Sequence, residues 1–306
     1  MAGKRNNIAF VVVTKNRATE LRRMLGSLVR QSYPPDQVIL VDSGDLPVEG
    51  IQKGFPDLRI EYLRCIPPSG TRQRNEGLKR IRPEITLVGF LDDDVVLGED
   101  ALCEMMRFWE DAPEDIGGAA FNLINHPPLF ASWLKSLPFV ERLGLYSRRK
   151  GIVLPSGFHT MIGHVSETTF VKWLPTTAVT WQRIVFDTFQ FDEWFEGYSY
   201  LEDLDFSYRV GKKFGLAVVG SAGYRHYPAS TGRGSGYEFG RREIRNRIYF
   251  VRKHPELSLP RCFGGLFIRM LISLFLASRG ETGYYVRRVQ GNAIGLAHSL
   301  WRVERS

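Results

Sequence analysis

Residues 88 to 100 read "VGFLDDDVVLGED", an apolar run that ends in three consecutive carboxylates, Asp92, Asp93 and Asp94. Like charges about 4 Å apart repel by roughly 4 kcal/mol at an intermediate dielectric, so something must offset them. A divalent cation does this most simply. Mg2+ and Mn2+ take hard oxygen ligands and commonly use only one or two protein carboxylates, with substrate phosphates completing the shell. If strand geometry continues through the run, Asp92 and Asp94 share one face and Asp93 points away. Two other readings fit the same letters. A solvated acidic turn needs no ligand, and "DDDVV" also satisfies the DxDx[TV] nucleophile pattern of phosphatases. That pattern normally sits on a first strand, whereas three strand-like runs precede this one.

Other polar groups have chemistry to offer. Asp42 ends the run "QVILVD" and could accept the imide N–H of a pyrimidine base, with Thr14 and Arg17 of "TKNR" supplied to the same pocket. Singly, an Asp or Thr at a strand end is often only a helix cap. "TRQRNEGL" puts Arg72, Arg74 and Asn75 at a helix start, where they could brace the aspartates, bind phosphate or form an exposed basic turn. "EDLD" (Glu202, Asp203, Asp205) opens a further helix, where acids suit the positive end of the dipole. His226 follows a strand-like run, and the other five histidines show no ligand spacing.

The elements that must position these groups alternate along the first half. "IAFVVV", "QVILVDS", "LRIEYL" and "ITLVGFLD" read as buried strands, and "ATELRRMLGSLVRQ", "TRQRNEGLKRI" and "EDALCEMMRFWE" as helices between them. This rhythm predicts an α/β fold with a Rossmann-like, mostly parallel sheet covered by helices. Ligands of such sheets sit beyond the carboxyl ends of the strands, where "TKNR", "DSGD" and "DDD" all fall. Residues 125 to 160 break the rhythm with prolines, aromatics and a basic patch, and read as an insertion. "EDLDFSYRVGKKFG" then reads as a helix and "LAVVGSAGYRHYPAS" as a strand running into a loop.

Composition narrows the classes. With 306 residues, 43% of them hydrophobic, the chain can bury a sizeable core and disorder is not the default. Three widely spaced cysteines make neither a disulfide framework nor a thiolate metal site, which favours a reducing compartment. The net charge of +8 is uneven: residues 222 to 306 hold 15 Lys+Arg against 5 Asp+Glu, and the remainder 26 against 28. An anionic partner is expected toward the C-terminus. The tail contains "CFGGLFIRMLISLFLAS", which is interrupted by Arg269 and short of the ~20 residues of a spanning helix, so no transmembrane segment is expected. On one ideal helix Arg261, Arg269, Arg279 and Arg287 would share an arc of about 80°. Gly280 and Gly283 argue against a single helix there. The tail fits either a packed helix with a cationic outer face or an interfacial helix on anionic lipid. Nucleic-acid binding ranks below both, because no recognition motif accompanies the charge.

The stretches "VVVTKNR", "QVILVDSGD", "RQRNEGL", "FLDDDV", "FDEWFEGYSYLEDLDFSYRV" and "GYRHYPAS" resemble, in order and separation, family 2 glycosyltransferases of the GT-A fold. The resemblance covers residues 8 to about 255. It implies a nucleotide-sugar donor, an inverting displacement and Mn2+ or Mg2+ as cofactor. Asp42 would take the base-binding role, with Thr14 and Arg17 lining that pocket. Asp92 would bind ribose, Asp94 would ligate the metal, and Asp93 and Arg74 would lie at the nucleotide-sugar site. Asp203 would be the catalytic base, with Glu202 and Asp205 as rivals, and His226 would complete the metal or diphosphate site. "WLPTTAVTWQR" departs from the family by lacking a glycine near Thr176.

Residues 230 to 247 carry Arg233, Arg241 and Arg242 among glycines and read as a lid closing on diphosphate, or as a solvated basic helix start. The expected organisation is a catalytic domain over 1 to 255, comprising a nucleotide-binding half to 124, the insertion at 125 to 160 and an acceptor half from 161. A basic amphipathic helical tail covers 256 to 306. The expected reaction is transfer from a UDP- or dTDP-sugar to a glycan or lipid-linked saccharide in surface polysaccharide synthesis. The expected place is the cytoplasm, peripheral to the inner face of the cell membrane if the tail binds lipid. A polyprenyl-phosphate acceptor and a non-catalytic sugar-nucleotide-binding module are the alternatives.

Overall fold

The computed structural model describes residues 6–125, 141, 144–228, 234–278 and 282–301. Two compact units partition the chain: unit 1 comprises residues 1–128 and 162–229, and unit 2 residues 129–161 and 230–306.

Unit 1 is built on one nine-stranded sheet. Its strands are β1 (Ile8–Thr14), β2 (Gln37–Asp42), β3 (Ile60–Arg64), β4 (Leu87–Asp92), β5 (Val95–Leu97), β6 (Ile116–Leu123), β7 (Thr169–Val171), β8 (Ala178–Gln182) and β9 (Gly215–His226). The order is β3-β2-β1-β4-β8-β6-β9-β5, with β7 added beside β9. The half from β3 to β4 is wholly parallel, as the β-branched runs predict, and antiparallel pairs enter at β8. β2 and β4 lie on opposite sides of β1, so the strand order reverses at β1 and opens a crevice beyond its carboxyl end. The register fixes what lines that crevice: Thr14 lies opposite Asp42, and Val13 opposite Asp92.

The helices of unit 1 are α1 (Ala18–Val29), α2 (Gly70–Leu78), α3 (Ala101–Asp111) and α4 (Glu202–Val210). In α1, Leu21, Met24, Leu25 and Leu28 recur at helical spacing and are fully buried. α2 ties the strand ends together. Its Gln73 donates to the carbonyls of both Thr14 (3.1 Å) and Val41 (2.8 Å). α4 is anchored through Phe206, which stacks on Phe191 with ring centroids 4.3 Å apart and meets Trp181 of β8 edge-on. That aromatic cluster seats the acidic start of α4 against the sheet.

Unit 2 contains α5 (Gly236–Lys253), α6 (Leu259–Ala277) and α7 (Thr282–Trp301). Ser235 and Glu238 form a reciprocal capping box at the start of α5. α5 and α7 pack backbone to backbone, because an added Cβ at Gly240 would collide with the Arg288 carbonyl and one at Gly291 with that of Tyr237. Glu243 of α5 is buried and accepts from Arg269 of α6 (2.7 Å) and from Arg288 (2.8 Å) and Asn292 (3.2 Å) of α7. Burial pushes this carboxyl upward, but the two guanidiniums outweigh it and hold it down at about 2. Its contribution to stability is therefore complete above the ordinary glutamate range near 4.3 and is lost as pH falls toward 2. Glu243→Gln strands two cations. The expected loss is about 3 kcal/mol, the low end for a broken buried pair because Arg269 is 43% exposed. Thermal denaturation of the full chain at pH 7 should show the midpoint falling by several degrees; an unchanged midpoint would contradict this role.

The tail is two helices, as Gly280 and Gly283 suggest, and one expectation is corrected: the arginines share no single outer arc, because Arg269 turns inward to Glu243. Arg279 lies outside the described residues. Residues 230 to 247, read as a lid or as a basic helix start, form from Gly236 onward a regular capped helix that carries Arg241 and Arg242 in its second turn. Arg233 lies outside the described residues. In addition α6, at 19 residues, is long and apolar enough to cross a membrane by length and composition, although no such segment was expected.

Candidate active site

The aspartate run is a turn, not a continued strand. β4 ends at Asp92, the chain turns through Asp93 and Asp94, and β5 returns antiparallel to β9. The alternation expected for the three side chains is therefore lost. Asp93 and Asp94 lie together on one guanidinium, Arg17, at 3.0 and 3.4 Å, and both are buried. Asp93 also accepts from the Thr14 hydroxyl at 2.7 Å. Burial pushes the Asp93 carboxyl up to about 6 despite Arg17 and Thr14, which pull it down. Thr14 and Arg17 thus meet the aspartate turn through their side chains.

Asp94 faces His226. Their Oδ1 and Nε2 atoms are 3.0 Å apart, and the Tyr227 N–H donates to the Asp94 carbonyl at 2.9 Å. β9 delivers this histidine, and Asn125 holds its backbone on both sides, donating to the His226 carbonyl (2.8 Å) and accepting from its N–H (2.9 Å). Two adjacent ligands of an octahedral ion with bond lengths of 2.0–2.1 Å lie about 3 Å apart, so this pair has the spacing of two adjacent ligands, and its carboxylate is the oxygen donor that Mg2+ or Mn2+ takes. Among the described residues no group of three or more His, Cys, Asp or Glu is placed to hold a metal. An ion held by this pair would need further ligands from substrate or water.

Asp92 belongs to a second cluster. Its side chain is 29% exposed and accepts from Arg74 at 3.3 Å. The other guanidinium nitrogen of Arg74 donates to Glu202 at 2.9 Å, and Thr176 also reaches Glu202 at 3.3 Å. α2 thus joins the end of β4 to the start of α4. The acidic turn itself is gripped by α2: Asn75 exchanges hydrogen bonds with the Phe191 backbone, and the Thr71 hydroxyl donates to the Phe195 carbonyl. Ser199 and Leu201, with φ of 53° and 77°, hold left-handed conformations that non-glycine residues adopt at a cost of about 1–3 kcal/mol, and they lead directly into Glu202 and Asp203.

Asp203 is half-buried and accepts from the Leu204 N–H at 2.7 Å. Burial raises its carboxyl above the ordinary range, and nearby Asp92 adds to this, against Leu204 N–H and Arg74. Burial likewise raises Glu202, with Asp203 and Asp92 reinforcing it. Asp205 is buried and ion-paired with Arg209 at 2.9 Å, which commits it to its own helix.

Asp42 stands in a third cluster. Its carboxylate is fully buried and accepts from the Gly44 N–H (2.7 Å), the Val48 N–H (3.0 Å), the Tyr62 hydroxyl (2.9 Å) and Arg64 (2.9 Å). Gly44 leaves room for Asn16, since an added Cβ would lie 2.8 Å from the Asn16 side-chain oxygen. Tyr62 and Arg64 had no signal in the sequence; the register that sets Arg64 opposite Asp42 exists only in the folded sheet. Tyr224, buried on β9 with its hydroxyl pushed strongly upward by burial and by Asp92 and Asp94, was missed for the same reason. Arg241 and Arg242 belong to unit 2.

No curated protein matches the chain. Solved structures do. Residues 1–349 of TarS from S. aureus, in complex with UDP-GlcNAc, align over 89% of this chain and 72% of that one, with a TM-score of 0.53 and 15% identity. Against a longer TarS structure the chain spans only 43% of the length, with a TM-score of 0.54 and 15% identity over 89% of this chain. The mannosyltransferase PcManGT from Pyrobaculum calidifontis, in complex with GDP-Man and Mn2+, aligns over 98% of this chain and 88% of that one, with a TM-score of 0.55 and 13% identity. At these identities the likeness is one of fold, and it is the GT-A fold. The sequence model described as "Glycosyl transferase family 2" matches residues 9–166, more than half of the 306. That match begins in β1 and takes in the whole aspartate turn, and by it the chain belongs to glycosyltransferase family 2.

Proposed function

We propose that this glycosyltransferase is a metal-dependent inverting enzyme. It moves a sugar from a UDP- or dTDP-sugar to a glycan or lipid-linked saccharide in surface polysaccharide synthesis, at the cytoplasmic side of the cell membrane. The observation that carries the reading is the meeting of the Asp94–His226 pair and the Arg74-linked acids at the strand ends of one sheet. Asp94 and His226 would hold Mn2+ or Mg2+, which as a Lewis acid would stabilise the charge developing on the departing diphosphate. Asp92, the most exposed of the three aspartates, is the side chain available to the donor ribose. Asp93 acts differently from its neighbours: buried on Thr14 and Arg17, it fixes the turn that presents Asp92 and Asp94.

Asp203 would take the proton of the acceptor hydroxyl as the new C–O bond forms. Burial raises its basicity above that of a solvated aspartate, which suits a general base. Glu202 is held by Arg74 and Thr176 and would orient this acid turn rather than accept the proton. Asp42 would support the base pocket by shaping the loop from Gly44 to Val48 and by holding Tyr62 and Arg64. The complexes of TarS with UDP-GlcNAc and of PcManGT with GDP-Man and Mn2+ support a nucleotide-sugar donor and a divalent ion.

Nucleotide binding tests the donor half of this reading. Thermal melting with UDP, dTDP or GDP, each with and without Mn2+, should show a rise with the pyrimidine nucleotides that requires metal. A ligand at 100 times its Kd adds about 2.7 kcal/mol, a shift that is readily measured. Stabilisation by GDP alone, or by none of the three, would contradict the assignment. Metal-dependent binding with no turnover on any acceptor would favour a sugar-nucleotide-binding module instead.

A further inference from the structure

The outward face of α6 is apolar, where a helix facing water should be polar. Gly264, Phe267, Leu271, Leu274 and Phe275 fall within an arc of about 100° on this helix. The four large side chains are 61%, 48%, 49% and 39% exposed. No acid occurs in α6, and its mid-helix cation, Arg269, is turned to the opposite side, onto Glu243. No charge therefore interrupts the outward stripe between Gly264 and Phe275. Its neighbour α7 exposes Tyr284, Val286 and Ile294 as well.

The same unit concentrates positive charge. Residues 129–161 and 230–306 contain 19 Lys+Arg against 6 Asp+Glu, whereas the rest of the chain has 22 against 27. Arg241, Arg245, Arg252, Arg261 and Arg287 are exposed. Apolar side chains on one helix face, surrounded by cations, match the two attractions that hold a protein on anionic lipid: acyl-chain contact and the negative surface potential.

We propose that unit 2 docks on an anionic lipid bilayer through the Phe267–Leu271–Leu274–Phe275 face of α6, with the helix lying in the interface. A second copy of the chain is disfavoured as the occupant, because it would bring together two units that each carry a net charge of +13. A spanning α6 is disfavoured because Arg269 would have to leave Glu243. Cys262, Gly265, Leu266, Ser273 and Ala277, buried in the folded unit, would have to leave their packing too. The docking does not depend on the donor chemistry, and its test needs no turnover.

Cosedimentation of the full chain with vesicles of phosphatidylcholine, with and without phosphatidylglycerol, supplies that test. Binding is expected on the anionic vesicles and is expected to weaken as salt rises. The triple variant Phe267→Ser, Leu271→Ser, Leu274→Ser should reduce the bound fraction at least tenfold, with the melting midpoint retained. Arg252→Gln with Arg287→Gln should weaken binding on anionic vesicles alone. Four outcomes would overturn the proposal: equal binding to neutral vesicles, no binding to either kind, protein that resists extraction from the vesicles by alkaline carbonate, or a dimer or DNA complex that the triple variant abolishes while leaving vesicle binding intact.

Discussion

Replacing Asp203 by asparagine is expected to reduce turnover by about 10²–10⁴-fold, the range that a positioned general base supplies. Asparagine keeps the shape of the side chain and can still accept from the Leu204 N–H, so α4 and the turn before it should remain folded. Donor affinity should change little, because the proton leaves the acceptor and not the nucleotide. The wild-type pH profile should carry the same signature. Burial raises the Asp203 carboxyl, so the deprotonated form that the proposed base requires is lost as pH falls through a value above the usual aspartate range near 3.9. The acid limb of kcat should therefore lie higher than a solvated aspartate would place it. Turnover undiminished in Asp203→Asn, with the limb intact, would move the base to Glu202.

Asp94→Asn carries the second large effect. Asp94 is buried between Arg17 and His226, so the substitution removes the charge that would ligate the ion and leaves the imidazole facing a neutral amide. A Lewis acid is worth several kcal/mol to a departing diphosphate, and about 4 kcal/mol corresponds to roughly a 10³-fold loss of turnover. Nucleotide stabilisation in melting experiments should lose its dependence on Mn2+. His226→Ala should act in the same direction with a smaller effect, since the carboxylate remains. Thr14→Val makes a useful contrast. It removes only the hydrogen bond to Asp93, so it should disturb the turn without abolishing the metal requirement.

Much of unit 1 was legible because its strands are β-branched runs ended by polar residues, and the alternation with helical patterns gives a parallel sheet with those ends together. The turn at Asp93 was not legible. It exists because β5 pairs with the far end of β9, where Val95 meets His226 and Leu97 meets Tyr224. The partners of Arg17 are hidden from the sequence for the same reason: they are aspartates 76 and 77 residues away. β6 escaped notice because Gly117 and Gly118 depress strand propensity, and its burial comes from tertiary packing. Ser235 and Glu238 spell the S-x-x-E capping box, a local signal that favours the helix start over the lid for the segment that becomes α5. In the tail, periodicity placed arginines on a shared outer arc, but it could not show that Glu243 draws Arg269 inward and leaves an apolar face outside.

The most direct measurement is release of nucleoside diphosphate from UDP- and dTDP-sugars by the wild-type chain, assayed with Mn2+, with Mg2+ and with a chelator. Release that requires a divalent ion, stops on chelation, returns when the ion is restored and is lost in Asp94→Asn is the predicted result. Release at full rate in the chelator, or from Asp94→Asn, would contradict a metal-dependent transfer site at the aspartate turn.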